Sequence, residues 1–330
     1  MTGAAPPTVS GVVELIAAGQ AELLDGRGLN SSYRVAWGGR ALSVKVHCAE
    51  RSSAAEFRRI GRVDSALRGT PWYPPVLDLG FHGAERPGLV VVRPYAPGTP
   101  ADDARRHISG VVDVLAGLAA RAEGVRAEDA LVGDYASPWL SGGRSERPER
   151  SERSLVDPLL TGEWRGLGRA MDAHLPELRR GAARLTSADG LLVHHGDLHG
   201  RNLISDGPGR LTVIDWDEAG FSRRPADAGK ALWLSCRQGR GDFALDREAV
   251  GLFLGRLHSR LGLPYSGARD LARLGALWFL PRHGHVTLLE RRDASLGAWY
   301  LGWLLCFWTR FRGNLDLVAR TAAELEAGAS

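Results

Sequence analysis

The chain has 330 residues, 44% hydrophobic and 24% charged, which describes an ordinary soluble globular protein long enough to bury a sizeable core. Its 42 Lys plus Arg against 38 Asp plus Glu leave a net charge of +4 that is spread along the chain, so no nucleic-acid partner is expected. Cys48, Cys236 and Cys306 are odd in number and far apart, which argues against a disulfide frame or a Cys-x-x-Cys zinc site and for reduced thiols in a cytoplasm.

Met1 to Pro7 contain no basic region ahead of an apolar stretch, so no secretory leader is expected. Apolar positions at helical spacing predict a helix over 8–20. Strands are predicted over 21–25 and 32–37 around the glycine-containing loop 26–32, and Gly38-Gly39 supplies a hairpin turn into a strand over 41–47 that carries Lys45. A helix over 52–67 follows, with Glu56 on an early turn and Glu50 and Asp64 to either side. Two more strands, 76–79 and 89–92, lead into Arg93-Pro94-Tyr95-Ala96-Pro97-Gly98. A helix over 102–121 is predicted to start near Asp102 or Asp103.

The tract Ser141 to Arg153 alternates Arg with Glu, has no apolar residue, and reads as a solvated insertion or a substrate lid. Helical periodicity returns over 163–185. Then come two apolar runs separated by His195-Gly196-Asp197-Leu198-His199-Gly200-Arg201-Asn202, the turn Asp206-Gly-Pro-Gly209, and Ile214-Asp215-Trp216. Residues 225–327 are helical in pattern and aromatic-rich, with Trp299, Trp303 and Phe307 at the spacing of a packed face. The longest apolar segment, Leu296 to Trp308, is too short to cross a bilayer, so no membrane partner is expected. His283-Gly284-His285, after Pro281, interrupts the pattern and predicts a loop; without a nearby carboxylate or cysteine it does not predict a metal site.

Asp197, Asn202 and Asp215 are the residue types that phosphoryl transfer needs. One carboxylate meets a substrate hydroxyl, while an amide oxygen and a second carboxylate hold Mg²⁺ against the phosphates. The transition state is loose and spreads negative charge over the transferring group, so catalysis rests on positioning and cation placement.

The segment His195 to Asn202 with Ile214 to Trp216 resembles the catalytic core of the aminoglycoside phosphotransferase and choline kinase-like family, distant relatives of the protein kinases. Gly196 in the middle of the first motif and Trp216 after the metal Asp favour the small-molecule branch, and Gly200-Arg201 departs from the Pro-Gly of many relatives. The resemblance implies an α+β, protein-kinase-like two-lobed fold. The N-terminal antiparallel sheet lobe would cover 1–97, with a hinge at 93–98, and the mostly helical C-terminal lobe 98–330, with its acceptor region over 225–327.

Within that resemblance Asp197 is the catalytic base, and Asn202 and Asp215 are the Mg²⁺ ligands. Lys45, paired with Glu56, steadies the phosphates of ATP or GTP. Asn30, Ser31 and Ser32 of the glycine-containing loop cover the nucleotide. Pro94 offers a carbonyl and Ala96 an amide to the purine, with Arg93 at the rear of the pocket. Asp227 braces the catalytic loop. Candidate acceptor contacts are Asp217, Glu218, His283, His285, Trp299 and Trp303. Arginine outnumbers acidic residues over 241–330, which favours a nucleoside or peptide antibiotic over a polycationic aminoglycoside. A metabolic kinase for a sugar, amino alcohol or hydroxy amino acid is the rival reading, and a catalytically silent nucleotide-binding module is a third. A monomer or a homodimer is expected.

Overall fold

The computed structural model describes residues 5–26, 29–83, 87–101, 104–121, 164–185, 192–206, 211–222, 224–239, 241–281 and 283–329. The expected helix start at Asp102 or Asp103, the tract 141–153 and residues 207–209 of the predicted turn lie outside these ranges. In chain order the elements are α1 (Val9–Ala17), β1 (Ala21–Asp25), β2 (Ser31–Trp37), β3 (Arg40–Val46), α2 (Ala54–Leu67), β4 (Asp78–His82), β5 (Gly88–Pro94), β6 (Thr99–Pro100) and α3 (Ala104–Ala120). There follow α4 (Arg165–Arg184), β7 (Leu192–His194), β8 (Leu203–Ser205), β9 (Leu211–Val213), β10 (Gly220–Ser222), α5 (Ala226–Ser235), β11 (Arg237–Gly239) and β12 (Asp242–Leu245). Last come α6 (Arg247–Leu261), α7 (Ala268–Ala276), α8 (His283–Arg292) and α9 (Ala294–Ala329).

These elements form two compact units, one of residues 1–100 with 203–217, the other of 101–202 with 218–330. Segment 203–217, expected in the C-terminal lobe, thus packs with the first unit, where β8 pairs with β6 and β9 in a small sheet.

The first unit is built on an antiparallel sheet in the order β1-β2-β3-β5-β4. Leu89-Val-Val-Val92 in β5 is apolar at every position because both faces of this strand are covered. Val90 and Val92 pack with Val35, Val44 and the α1 residues Val9 and Val12, whereas Leu89 and Val91 pack with Ile60 of α2 and Val76. Thr8 caps α1 through its side chain, and Ser53 caps α2. Strand β4 starts at Asp78, two residues later than expected, because the buried Asp64 carboxylate takes the Val76 N–H at 2.6 Å and the Tyr73 hydroxyl at 3.1 Å.

The second unit is mainly helical around a core that includes Trp233, Phe243, Phe253, Phe279, Phe307 and Phe311, all fully buried. Phe279 and Phe307 stack at 3.9 Å between ring centroids, and Trp233 meets Phe307 edge-on at 4.9 Å. Trp299 does not belong to the packed face expected of it: it is 65% exposed. Steps of four residues advance about 40° around an α-helix, so the stripe that holds Phe307 has turned away by Trp299. Phe307→Ala is therefore expected to cost about 3–5 kcal/mol in chemical denaturation, whereas Trp299→Ala stays within about 0.5 kcal/mol. The predicted loop at 283–285 is also corrected, since these residues open α8.

Helices α5 and α7 cross at Gly229 and Gly275. A Cβ on Gly275 would overlap the Gly229 carbonyl group and lie 2.6 Å from the Lys230 backbone nitrogen. The obstacle is backbone, which no rotamer change relieves, so Gly275→Ala is expected to destabilise the chain by about 3 kcal/mol. A urea midpoint within error of the parent would contradict that crossing. Among the described residues, no helix is long and apolar enough to cross a membrane.

Candidate active site

Each unit carries one group of the predicted side chains. In the first unit, Lys45 lies on the β3 position opposite Val91, the face of the sheet that α2 covers. Its ammonium is 2.6 Å from Asp215 Oδ1 and 2.6 Å from Asp217 Oδ2. Burial alone would lower the Lys45 pKa, but the charges and hydrogen bonds of Asp217 and Asp215 outweigh it and hold it above its ordinary value. Asp217, also buried, is kept well below the usual carboxylate range because Lys45, His47 and Asn30 together outweigh its desolvation.

Asp215 has φ 64°, the only non-glycine residue in the left-handed region among those described. Aspartate tolerates that conformation better than most residues, and a backbone so constrained is a recurrent feature of functional positions. Trp216, next in sequence, is anchored by its indole N–H donating to the Val213 carbonyl at 2.8 Å and by Trp72 and Tyr73 against its ring. Asn30 ties the loop before β2 to this group: its amide donates to Asp217 Oδ2 at 2.7 Å, and its oxygen accepts from the Cys48 N–H.

Glu56 is not the partner of Lys45. It forms its ion pair with Arg59, one helical turn on, and the same guanidinium donates to the Asp217 carbonyl oxygen at 2.6 Å. The lysine finds two carboxylates at hydrogen-bond distance on 215 and 217, so the helix contributes through Arg59, a residue that the sequence reading did not select. Ser31 and Ser32 open β2, with Ser32 opposite Lys45. Pro94 ends β5 opposite Leu42, with the Tyr95 N–H donating to the Ala41 carbonyl; Ala96 follows half-buried. Arg93 lies over the Tyr73 ring and donates to the Pro74 carbonyl at 2.5 Å.

In the second unit, the catalytic-motif loop leaves β7 and is gripped from α5. The Asp227 carboxylate accepts from the His195 N–H at 2.5 Å and the Gly196 N–H at 2.8 Å, the bracing role expected of it. Gly196 has φ 86°, so a residue without Cβ suits the turn between His195 and Asp197. Gly200 approaches the backbone ahead of α3 so closely that a Cβ would lie 2.8 Å from the Ala101 carbonyl oxygen.

Asn202 donates through Nδ2 to the Asp197 carbonyl at 2.8 Å and more loosely to Oδ2 at 3.4 Å, leaving its side-chain oxygen as the acceptor a hard cation would take. Asp197 Oδ1 receives Lys230 Nζ at 2.8 Å, while His199 Nε2 stands 3.5 Å from Oδ2. Burial would raise the Asp197 pKa, but Lys230 and His199 outweigh it and hold the carboxyl well below its ordinary value. Arg237 adds a further charge that interacts with Asp197.

The structure thus joins Asp197 with Asn202 in one group and Lys45 with Asp215, Asp217 and Asn30 in the other. Among the other expected acceptor residues, Glu218 is half-buried, His285 meets the Tyr300 ring edge-on at 4.9 Å, and Trp303 packs against Phe243 and Phe279. Lys230 went unselected although it carried a signal: the chain has only two lysines, and this one follows Asp227 by three residues on the same helix.

Asn202 in one unit and Asp215 in the other each carry a side-chain oxygen of the hard type that Mg²⁺ prefers. Among the described residues no three His, Cys, Asp or Glu side chains gather as a metal site. Mg²⁺ bound with a nucleotide ordinarily takes one or two protein carboxylates and completes its shell from phosphates and water.

Residues 20–261 match the profile of a phosphotransferase enzyme family. The chain is similar to a microcompartment-associated aminopropanol kinase, with TM-score 0.58 and 18% identity over 93% of this chain and 99% of that one. It is similar to a thermostable mutant of an aminoglycoside phosphotransferase in ternary complex with AMP-PNP and hygromycin B, with TM-score 0.57 and 16% identity over 95% and 98% of the two chains. A third likeness is to choline kinase from Cryptosporidium parvum, with TM-score 0.53 and 11% identity over 96% and 99%. At these identities the likeness is one of fold, a kinase-like α+β architecture. No curated protein matches the sequence.

Proposed function

Because the chain belongs to the phosphotransferase enzyme family, we propose that it moves the γ-phosphoryl of ATP onto a hydroxyl of a small molecule. The observation that carries this reading is the pair of prepared groups. Lys45 is held charged by two aspartates, and Asp197 is held ionised beside the Asn202 amide. Asp197 orients the acceptor hydroxyl and receives its proton, and Lys45 steadies the nucleotide phosphates. Asn202 and Asp215 are the residues that would hold Mg²⁺, which when bound would neutralise charge on the phosphates. Asn30 keeps Asp217 turned to Lys45, and Arg59 fixes the backbone beneath it.

Lys230 and Arg237 place positive charge beside the Asp197 carboxylate, and His199 Nε2 stands 3.5 Å from its Oδ2. That environment disfavours an acceptor with ammonium groups beside the reacting hydroxyl, and supports a neutral or anionic one such as a nucleoside or peptide antibiotic. The similarity to an aminopropanol kinase and a choline kinase keeps a metabolic acceptor as the second reading.

The test is a mass-spectrometric screen of the purified chain with Mg²⁺ and ATP or GTP. It uses nucleoside and peptide antibiotics, aminoglycosides, amino alcohols and sugars as acceptors. Phosphorylation of a neutral or anionic acceptor is expected. Tight Mg²⁺–nucleotide binding without transfer to any compound would overturn the catalytic reading in favour of a silent binding module.

A further inference from the structure

Lys230 has a role that the catalytic motif does not announce. It lies in the middle of α5, and its side chain is 11% exposed. Its ammonium donates to the Gly196 carbonyl at 2.6 Å, pairs with Asp197 Oδ1 at 2.8 Å, and faces the Trp278 ring with Nζ 4.2 Å from the centroid. An ammonium has three N–H donors, and these three partners take one each. The cation is therefore fixed in place; it is not a flexible arm waiting for a ligand.

The same geometry makes the two oxygens of Asp197 unequal. Oδ1 has a close, charge-assisted partner, whereas among the described residues Oδ2 has the Asn202 amide at 3.4 Å and His199 at 3.5 Å. We propose that Lys230 is a positioning residue for phosphoryl transfer: it locks Oδ1 and the Gly196 carbonyl, and so presents Oδ2 as the oxygen that meets the acceptor hydroxyl. The inference rests on the phosphotransferase reading and deepens it. In the transfer step the hydroxyl oxygen forms a bond to the γ-phosphorus, the bond from that phosphorus to the bridging oxygen breaks, and ADP leaves with the bond's electrons. The hydroxyl proton passes to Oδ2. Lys230 neither gives nor takes a proton. Misplacing a reacting group by about 1 Å can cost on the order of 10²-fold in rate.

The experiment is a double-mutant cycle of Lys230→Met and Asp197→Asn, with Lys230→Arg as the charge-conserving variant. It is read in kcat and nucleotide KM for a phosphorylated acceptor, and separately in thermal melting. Lys230→Met is expected to lower kcat about 10²-fold with nucleotide KM changed less than threefold. Lys230→Arg should recover at least tenfold of that loss. In the Asp197→Asn background, Lys230→Met should lower kcat less than threefold further, because the oxygen it positions has lost its function. Equal losses of kcat in both backgrounds, or a kcat within threefold of the parent in Lys230→Met, would overturn the proposal. If Lys230→Met does not fold, Lys230→Gln and Lys230→Arg carry the same comparison. Coupling in the melting cycle without any transfer by the parent chain would instead remove the phosphotransferase reading and uphold the pairing itself.

Discussion

Asp197→Asn is expected to reduce kcat by about 10²–10⁴-fold, the range that a positioned acid–base group ordinarily supplies. Affinity for Mg²⁺–ATP should change little, because Lys45, Asp215 and Asp217 form a group of their own in the other unit. Asparagine is the informative replacement. It keeps an oxygen for Lys230 and preserves the loop held by Asp227, whereas alanine would remove the counter-charge and the side-chain acceptor of a nearly buried ammonium together. A variant that turns over at the parental rate would remove Asp197 from the mechanism. Calorimetric titration with a nonhydrolysable ATP analogue checks the second half of the expectation.

Lys45→Met should act on the nucleotide. Two effects combine: the phosphates lose their cation, and Asp215 and Asp217 lose the charge that both of them share at 2.6 Å. Removing one prepared electrostatic contact of this kind costs about 10²–10³-fold in kcat, and nucleotide KM should rise as well. With their common counter-ion gone, the two carboxylates should also bind Mg²⁺ more tightly in the absence of nucleotide, which titration calorimetry measures directly. Unchanged KM and kcat for ATP would contradict the assignment. Glu56→Gln serves as the contrast. Its carboxylate is engaged with Arg59, so its effect on nucleotide use should be several times smaller.

The elements most readable in the sequence were those with a strong local code. Alternation and the Gly38-Gly39 turn marked β2 and β3, and the spacing from His195 to Asn202 marked the catalytic loop. What escaped were choices made over long sequence separations. Nothing near Lys45 says that its partners lie at 215 and 217 instead of 56, because the pairing depends on which carboxylates the packed chain brings to it. Lys230 is likewise joined to Gly196 across more than thirty positions. Trp299 was misjudged for a different reason, since a four-residue step precesses around a helix and cannot keep one face for three repeats. The kinase-like fold was legible through the motif before any strand order was known, and the five-stranded sheet and helical second unit agree with it.

The glycine pair at 229 and 275 has a consequence for how this scaffold can change. Asp227 and Lys230, which hold the motif loop, flank one of those glycines on α5, and α7 rests directly upon it. Remodelling α7 to admit a new acceptor would therefore disturb the groups around Asp197 at the same time.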